Sequence, residues 1–195
     1  MIVGLAGKTC AGKDSLVPVF TERGFTVIDG DKIGHRALEA NRDAVMARFG
    51  TVDRPSLGKL VFGNPEALKD LEAITHPWIA ARIWEEVAAA QGDVVLNVAL
   101  LQKQNLYKLC DIVVWVDAPL WVRLLRARHR DRWQWGRILG RVWAQRKLRP
   151  QVFSGNVDIL RVDNRGSLRR ARTALEARFG PGTAFSQKED THEKQ

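Results

Sequence analysis

A glycine-rich segment near the start of the chain, GLAGKTCAGKDSL (residues 4–16), has residue types and a spacing suited to binding phosphate groups. Gly7, Gly12 and Lys13 form a G-x-x-x-x-G-K pattern between a short apolar run and a stretch with helical character. In such a loop the backbone N–H groups surround an anion, and the lysine adds a mobile positive charge for the β and γ phosphates of a nucleotide. The pattern therefore predicts a nucleotide phosphate site. The residues expected to contact the nucleotide there are Gly7, Cys10, Ala11, Gly12, Lys13, Asp14 and Ser15.

Asp14 departs from this pattern, because loops of this kind normally carry Ser or Thr at that position, where the hydroxyl binds Mg²⁺. A carboxylate can hold the same hard cation, directly or through water, but it adds negative charge beside the phosphates. Ser15 is the adjacent hydroxyl and could serve instead. We expect Mg²⁺ to bind with the nucleotide, with Asp14 and Ser15 as alternative ligands. A glycine-rich turn that only caps a helix is the alternative interpretation of the segment.

Strand-like and helix-like segments alternate along the chain around this loop. Apolar runs at residues 2–5, 25–28, 94–98 and 112–116, and a weaker one at 159–162, predict strands. Runs with helical character predict helices over residues 15–23, 31–39, 41–49, 65–91 with an interruption near Pro77, 120–130 and 167–179. Nearly continuous apolar, β-branched runs are typical of parallel strands buried on both faces. The alternation predicts an α/β fold with a mostly parallel sheet and right-handed crossovers.

The length and composition of the chain suit one domain. It has 195 residues, of which 45% are hydrophobic, which is enough to form a core. No apolar run reaches the roughly 18 residues of a membrane span, and the first residues lack the features of a secretory signal. Two cysteines do not indicate a disulfide framework, so we expect a reducing cytoplasm. The sequence predicts one domain over residues 1–180, a disordered polar tail over residues 181–195, and no zinc site, because its histidines lack metal-like spacing.

Positive charge is concentrated in one part of the chain. The net charge is +9, and residues 120–180 hold 16 Lys and Arg against 4 Asp and Glu. Such a field attracts anions, whether nucleic acid, an acidic membrane or phosphorylated small molecules. Charge alone does not choose among these partners, although the basic stretch contains no recognised nucleic-acid motif.

A series of short segments follows the loop. They are VIDGD at 27–31, LVFGNP at 60–65, ITHP at 74–77, LL at 100–101, NLYK at 105–108, Arg126, Arg130 with Asp131, Gln145, and VDNRG at 162–166. In order and approximate spacing they resemble the dephospho-CoA kinase family, from about residue 2 to residue 178. The resemblance implies a P-loop NTPase-type three-layer sandwich, with a helical acceptor-binding region over about 31–91 and a lid over about 131–155. It also implies an enzyme that uses ATP to phosphorylate the ribose 3′-hydroxyl of dephospho-CoA, giving CoA and ADP in the last step of coenzyme A synthesis.

The resemblance assigns roles to individual residues. It makes Asp31 the catalytic carboxylate that hydrogen-bonds the ribose 3′-hydroxyl and orients it or accepts its proton. From the residues alone, Asp29 or Asp31 could equally cap the helix that follows. His76 is assigned to the substrate pocket or to a structural role. Asn164 lies where the last strand of the family meets the nucleotide, beside the adenine.

The basic stretch corresponds to the lid of the family, whose closure supplies positive charge and expels water. Of its arginines, Arg130 and Arg137 are predicted to join Lys13 and Asp31 as catalytic residues. The expected cofactors are ATP and Mg²⁺, and the expected substrate is dephospho-CoA. We expect no nucleic-acid or membrane partner, and a monomer or weak homo-oligomer.

Three positions near the acceptor depart from the family pattern. Ala99 and Lys103 stand where the family usually has a proline and an acidic residue, and His35 replaces a common arginine. The alternatives are therefore a nucleoside or nucleoside-monophosphate kinase, or a non-catalytic nucleotide-binding homologue. Acceptor competition distinguishes the kinases, whereas a basic nucleic-acid-binding domain would show a steeply salt-dependent affinity for oligonucleotides.

Overall fold

The structure is a computed structural model that describes residues 1–61, 63–98, 101–131, 135–146, 148–153, 157–165 and 168–180. Its strands are β1 Ile2–Gly7, β2 Thr26–Asp29, β3 Val94–Asn97, β4 Ile112–Asp117 and β5 Asp158–Asp163. Its α-helices are α1 Val17–Thr21, α2 Gly30–Ala40, α3 Arg42–Phe49, α4 Arg54–Val61, α5 Pro65–Ala89, α6 Leu120–Asp131, α7 Trp135–Ala144 and α8 Leu168–Phe179. Short 3-10 helices cover Lys13–Leu16, Lys103–Leu109 and Pro150–Phe153. The predicted tail, residues 181–195, lies outside the described residues.

The strands form one sheet in the order β2-β3-β1-β4-β5. β1 pairs in parallel with β3 and with β4, and β4 pairs in parallel with β5. In this register Leu5 lies beside Asn97, and Gly7 lies beside Val116. The carboxyl ends of these strands therefore meet at one edge of the sheet, where ligands bind in open α/β folds. The predicted α/β fold with a mostly parallel sheet is confirmed.

The chain divides into two compact units, and the first comprises residues 1–27 and the chain from residue 90 onward. Its core is built on the apolar strands, with Val3, Leu5, Val95, Val114 and Val116 completely buried. Three phenylalanine rings pack edge to face in the same unit, with centroids 5.3 to 6.2 Å apart. These rings belong to Phe20, Phe25 and Phe179. The apolar runs that predicted strands therefore also predicted the core of this unit.

The second unit, residues 28–89, contains the helices α2 to α5. Its most buried apolar side chains are Ile33, Ala37, Val45, Leu57 and Ile83. The Arg48 guanidinium makes two hydrogen bonds to Asp70, which tie α3 to α5. The bounds of this unit lie close to those of the helical region predicted over residues 31–91. Acceptor binding by this region, and a single domain over residues 1–180, stay predictions.

α5 runs without a break from Pro65 to Ala89, so the predicted interruption near Pro77 is wrong. A proline inside a helix removes one backbone hydrogen bond and crowds the preceding turn, at a cost of about 3 kcal/mol. Ala67, Thr75 and Ile83 are buried along α5, on both sides of the proline. Packing of this face stabilises the helix more than the proline destabilises it. Among the described residues, no helix has both the length and the apolar character needed to cross a membrane.

The helix predicted over residues 15–23 begins instead as a 3-10 helix, and α1 covers only Val17–Thr21. The cause is Pro18, which has no N–H and so cannot make the α-helical bond to the Asp14 carbonyl. That carbonyl accepts from the Val17 N–H instead, which is the tighter 3-10 pattern. The segment after the loop is therefore shorter and more tightly wound than its sequence predicts.

Candidate active site

Two glycines of the phosphate-binding loop are required by the packing around them. Gly7 ends β1, and a Cβ built on it would lie 2.7 Å from the Val116 carbonyl oxygen. Gly12 has a φ of +90°, and a Cβ there would lie 2.2 Å from Nδ2 of Asn164. Neither approach is open to a residue with a side chain, and the positive φ also favours glycine. The path of the loop thus depends on the glycines at both ends of the G-x-x-x-x-G pattern.

Arginines from α6 hold the carbonyl oxygens of the loop. Arg123 donates through Nε to the Thr9 carbonyl at 2.8 Å, and Arg126 donates through Nη1 to the Ala11 carbonyl at 3.0 Å. Arg126 also donates through Nη2 to the backbone and side-chain oxygens of Asn164, at 3.0 and 3.2 Å. Nδ2 of Asn164 donates to the same Ala11 carbonyl at 2.9 Å. α6 and the residue after β5 therefore fix the loop through its carbonyl groups.

The N–H groups at the end of the loop bear on whether it can bind an anion. Among the described residues, the N–H groups of Gly12 and Lys13 donate to no acceptor. The Thr9 N–H, by contrast, donates to Oε1 of Gln145 at 2.6 Å. Unpaired N–H groups in a glycine-rich loop form a concavity that binds anions. The loop therefore has the donors that a phosphate group requires.

Arg123 adds a buried positive charge beside the loop. Its side chain is only 6% exposed, and burial lowers the pKa of the guanidinium while Cys10 and Asp117 act to raise it. Within the described part of the chain, its Nη2 atom is buried and has no hydrogen-bond partner. A cation in a site that excludes water acts on a nearby anion more strongly than a solvated one. Arg123 thus contributes to the positive potential at the loop as well as to its shape.

Lys13 is held at the end of β3 by two neighbouring side chains. Its Nζ donates to Oδ1 of Asn97 and lies 3.2 Å from Oδ1 of Asp14. Nδ2 of Asn97 donates to the same Asp14 oxygen at 3.2 Å. The Lys13 side chain is 15% exposed and that of Asp14 is 63% exposed. The lysine of the motif is therefore fixed in place, while the aspartate faces solvent.

Asp29 and Asp31 have different environments, although both could have capped α2. Asp29 is the capping residue, because its Oδ1 accepts from the N–H groups of Asp31 and Lys32 at 2.9 and 3.3 Å. The Asp31 carboxylate is exposed and, among the described residues, makes no hydrogen bond or ion pair. The helix is thus capped without Asp31, whose carboxylate remains available to a ligand.

The remaining predicted residues occupy separate elements. Ser15 is exposed in the 3-10 helix after the loop, His35 is exposed in α2, and His76 is half-buried in α5. Cys10 is half-buried in the loop with a φ of +60°. Ala99 lies outside the described residues. The backbone of Lys103, Arg130 and Arg137 is described, but their side chains are not. The roles assigned to these residues stay predictions.

Four side chains that support the loop were not among the predicted site residues: Asn97, Arg123, Arg126 and Gln145. Asn97 has a local signal, because it is a polar residue at the end of the apolar strand VVLN. Arg126 and Gln145 were indicated only as members of the series of short segments that resembles the family. Arg123 is one of many arginines in the basic stretch, so nothing local distinguishes it. These residues act through contacts that only the folded chain creates.

The two thiols are expected to react differently. Cys110 is buried, its Sγ lies 3.8 Å from the Leu106 carbonyl, and burial raises the pKa of its thiol to about 12. At pH 8 we expect a disulfide reagent such as DTNB to titrate one thiol, Cys10, in the native protein and two in denaturant. The Cys10→Ala variant should then show none until it unfolds. Native modification of Cys110 at the rate of Cys10 would contradict this.

The same burial makes stability depend on pH. The ordinary pKa of the thiol is 9.0, and the folded value for Cys110 is raised to about 12. Its contribution to stability is therefore fully present below pH 9 and is lost as the pH rises toward 12. In urea unfolding at pH 8 and pH 10, we expect the free energy of unfolding to fall more in the wild-type protein than in Cys110→Ala. An equal fall in both would show that Cys110 does not titrate in this way.

The fold and the loop together define a class of protein. A parallel sheet whose first strand runs into a G-x-x-x-x-G-K loop, with a fixed lysine and N–H groups that bond to none of the described residues, is the architecture of P-loop phosphoryl-transfer enzymes.

Comparison with known proteins specifies the family. The model of the dephospho-CoA kinase family matches residues 1–168. A protein named dephospho-CoA kinase from Latilactobacillus sakei is 34% identical over 189 residues, covering 89% of this chain and 92% of that protein. A crystal structure of a Thermus thermophilus protein superimposes with a TM-score of 0.75 at 28% identity, covering 92% of this chain and 97% of that one. The structure of dephospho-CoA kinase from Campylobacter jejuni shares the fold, with a TM-score of 0.58, 24% identity, and coverage of 90% and 94%.

The chain belongs to the dephospho-CoA kinase family. It is accordingly a transferase with a P-loop NTPase-type α/β fold, and its activity is the ATP-dependent phosphorylation of dephospho-CoA in coenzyme A synthesis. The family and the fold that the sequence predicted are both confirmed.

Proposed function

We propose that the transfer proceeds from the γ-phosphate of ATP, bound at the loop over residues 7–15, to the ribose 3′-hydroxyl of dephospho-CoA. The observation that carries this proposal is the loop itself, in which the N–H groups of Gly12 and Lys13 have no acceptor among the described residues and the Lys13 ammonium is fixed by Asn97. Phosphoryl transfer depends on positioning and charge neutralisation more than on covalent help. Lys13 then neutralises charge on the β and γ phosphates, and Gly7, Cys10, Ala11 and Gly12 shape the cradle.

Asp31 is the proposed base on the acceptor side. It orients the 3′-hydroxyl and accepts its proton as the oxygen attacks the γ-phosphorus, while the bond to the β-γ bridging oxygen breaks and ADP leaves. Its support is the exposed carboxylate, which makes no bond to described residues because Asp29 caps α2 instead. His76, in the same helical unit, is proposed to shape the substrate pocket.

The proposed lid residues are Arg130 and Arg137. Guanidinium groups suit phosphate oxygens, and their positive charge would stabilise the transferring group as water is excluded. Asn164 is proposed to lie near the adenine. Its side chain is 2% exposed and its amide is bonded to the loop and to Arg126, so its effect on the nucleotide acts through the loop position.

Mg²⁺ is the proposed metal, bound together with ATP. Asp14 offers an exposed carboxylate and Ser15 an exposed hydroxyl, and both are the hard oxygen donors that Mg²⁺ prefers. Mg²⁺ commonly keeps several waters and binds through one or two protein ligands plus substrate phosphates, which this pair can supply. When bound, the ion supplies neutralisation of the phosphate oxygens. Either Asp14 or Ser15 would hold it.

We place the enzyme in the cytoplasm, as a monomer or weak homo-oligomer that acts on small molecules without a nucleic-acid or membrane partner. Neither Cys10 nor Cys110 forms a disulfide, which suits a reducing compartment. The basic stretch has a function within the chain, because it supplies Arg123 and Arg126 to the phosphate-binding loop.

The test is an endpoint mass-spectrometric assay of the purified protein. ATP is supplied with Mg²⁺ or with EDTA, against dephospho-CoA, adenosine and a panel of nucleoside monophosphates. We expect CoA from dephospho-CoA only, and only with Mg²⁺. A phosphorylated nucleotide instead would make the protein a nucleoside-monophosphate kinase, and ATP binding without any product would make it a non-catalytic homologue.

A further inference from the structure

Asn97 lies between two oppositely charged side chains of the phosphate-binding loop. Its Oδ1 accepts from Nζ of Lys13, and its Nδ2 donates to Oδ1 of Asp14 at 3.2 Å. Lys13 and Asp14 are themselves in contact at 3.2 Å. Asn97 is 9% exposed at the end of β3, so its position is set by the sheet and not by the loop.

A carboxamide is suited to this position because it presents an acceptor and a donor at once. A carboxylate at residue 97 would accept from Lys13 but would repel Asp14. An apolar side chain of similar size would satisfy neither charge, and Lys13 would be left with Asp14 as its only partner in the triangle. With no competing acceptor at residue 97, the existing Lys13–Asp14 ion pair would hold more of the ammonium that the phosphates require.

The donor count agrees with this arrangement. An ammonium group has three N–H donors. Counting only contacts to the described residues, one is directed to Asn97 and one to Asp14, which leaves one for a phosphate oxygen. Asn97 therefore limits how much of Lys13 the neighbouring carboxylate can occupy.

We propose that Asn97 is a positioning residue that keeps Lys13 available to the nucleotide, and that it is needed because residue 14 is an aspartate. The inference rests on the proposed role of the loop as the ATP phosphate site. The role of Asn97 in keeping Lys13 available therefore depends on the identity of residue 14. With a hydroxyl at position 14, the carboxamide would no longer be required, because a serine can donate to an aspartate at position 97 and does not repel it.

The test is a double-mutant cycle on ATP binding, measured by calorimetry in EDTA and again with Mg²⁺. Asn97→Asp and Asn97→Leu are each made in the wild-type and in the Asp14→Ser background. We expect each change at residue 97 to raise the Kd of ATP about tenfold when Asp14 is present, and by no more than about threefold when Ser replaces it. Hydrogen bonds between charged groups and short-range repulsion of like charges have effects of this size.

A merely structural role of Asn97 predicts a different result. Loss of packing at the end of β3 would lower the melting temperature and would raise Kd by the same factor in both backgrounds, since the packing does not depend on residue 14. Equal factors, or unchanged binding in both variants, would overturn the proposal. Asn97→Leu keeps the cycle informative if Asn97→Asp does not fold. A wild-type protein that binds no ATP would overturn both this inference and the proposed function, whereas wild-type binding with equal factors overturns the role of Asn97 alone.

Discussion

Replacing Asp31 with Asn is expected to lower kcat for CoA formation by about 10²- to 10⁴-fold, which is the usual contribution of a positioned general base. The amide keeps the size of the carboxylate and can still contact a hydroxyl, but it cannot accept the proton. ATP binding is expected to be unchanged, because Asp31 is not one of the loop residues proposed to hold the phosphates. Initial rates at saturating ATP and dephospho-CoA, with calorimetric titration of ATP, measure the two quantities separately.

Asp29→Asn is the matched control for this change. Asp29 caps α2 with its Oδ1 atom, and asparagine is nearly as good a capping residue as aspartate. We therefore expect the unfolding equilibrium constant of Asp29→Asn to remain within about threefold of the wild-type value. Its kcat should also remain within about threefold of that of the wild-type enzyme. If both variants lost activity equally, the loss would come from removing a negative charge at the end of β2 and not from removing a general base. If Asp31→Asn retained full kcat, Asp31 would not be the base.

Gly12→Ala is the second change with a large expected effect. A Cβ at this residue would meet Nδ2 of Asn164 at 2.2 Å and Nη1 of Arg126 at 3.2 Å, and the φ of +90° is itself unfavourable for alanine. Backbone strain of about 1–3 kcal/mol and overpacking of about 1–3 kcal/mol together favour a loop that leaves this conformation. Since about 1.4 kcal/mol corresponds to a factor of ten, we expect ATP affinity to fall by about 100-fold or more.

Gly58→Ala is the control for Gly12→Ala. Gly58 lies in α4, and a Cβ there would meet nothing within 4 Å. Alanine in an open helical position is expected to stabilise the protein by about 0.4–1 kcal/mol, with ATP affinity unchanged. Thermal unfolding and ATP titration of both variants check the pair. An affinity of Gly12→Ala within about threefold of the wild-type value would show that the loop can move Asn164 aside at little cost.

The five strands and the loop could be predicted from the sequence because their signals are local. Buried parallel strands are continuous apolar runs, and the loop is a fixed spacing of glycines and lysine. The helices α4 and α7 were missed for a local reason as well. α4 contains Pro55 and Gly58, and α7 contains Gly136 and Gly140, residues that lower helix propensity. Proline is tolerated in the first turn of a helix, which is where Pro55 lies in α4. In the sequence alone, the same residue is easily taken for a helix breaker.

The partners of the loop could not be predicted, because they are distant in the sequence. The bonds to Lys13 and Thr9 come from Asn97, Arg123 and Gln145, which are 84, 114 and 136 residues away along the chain. The strand order, with β1 between β3 and β4, brings Asn97 beside the loop. The choice between Asp29 and Asp31 as the cap was likewise open in the sequence, and only the backbone geometry at the end of β2 decides it.

The side chains that bond to the loop carbonyl groups also affect the rate at which a nucleotide associates with the loop. Arg123, Arg126 and Asn164 are side chains of this chain, so they set the shape of the loop independently of any ligand. Ordering a flexible segment during association costs about 1–2 kcal/mol per residue and adds a slow step. A loop that is already ordered avoids both, so we expect the encounter of the nucleotide with the loop to be governed by diffusion and by attraction to the positive charge of residues 120–180. The association rate constant of the nucleotide, and not only its affinity, therefore falls as salt is added.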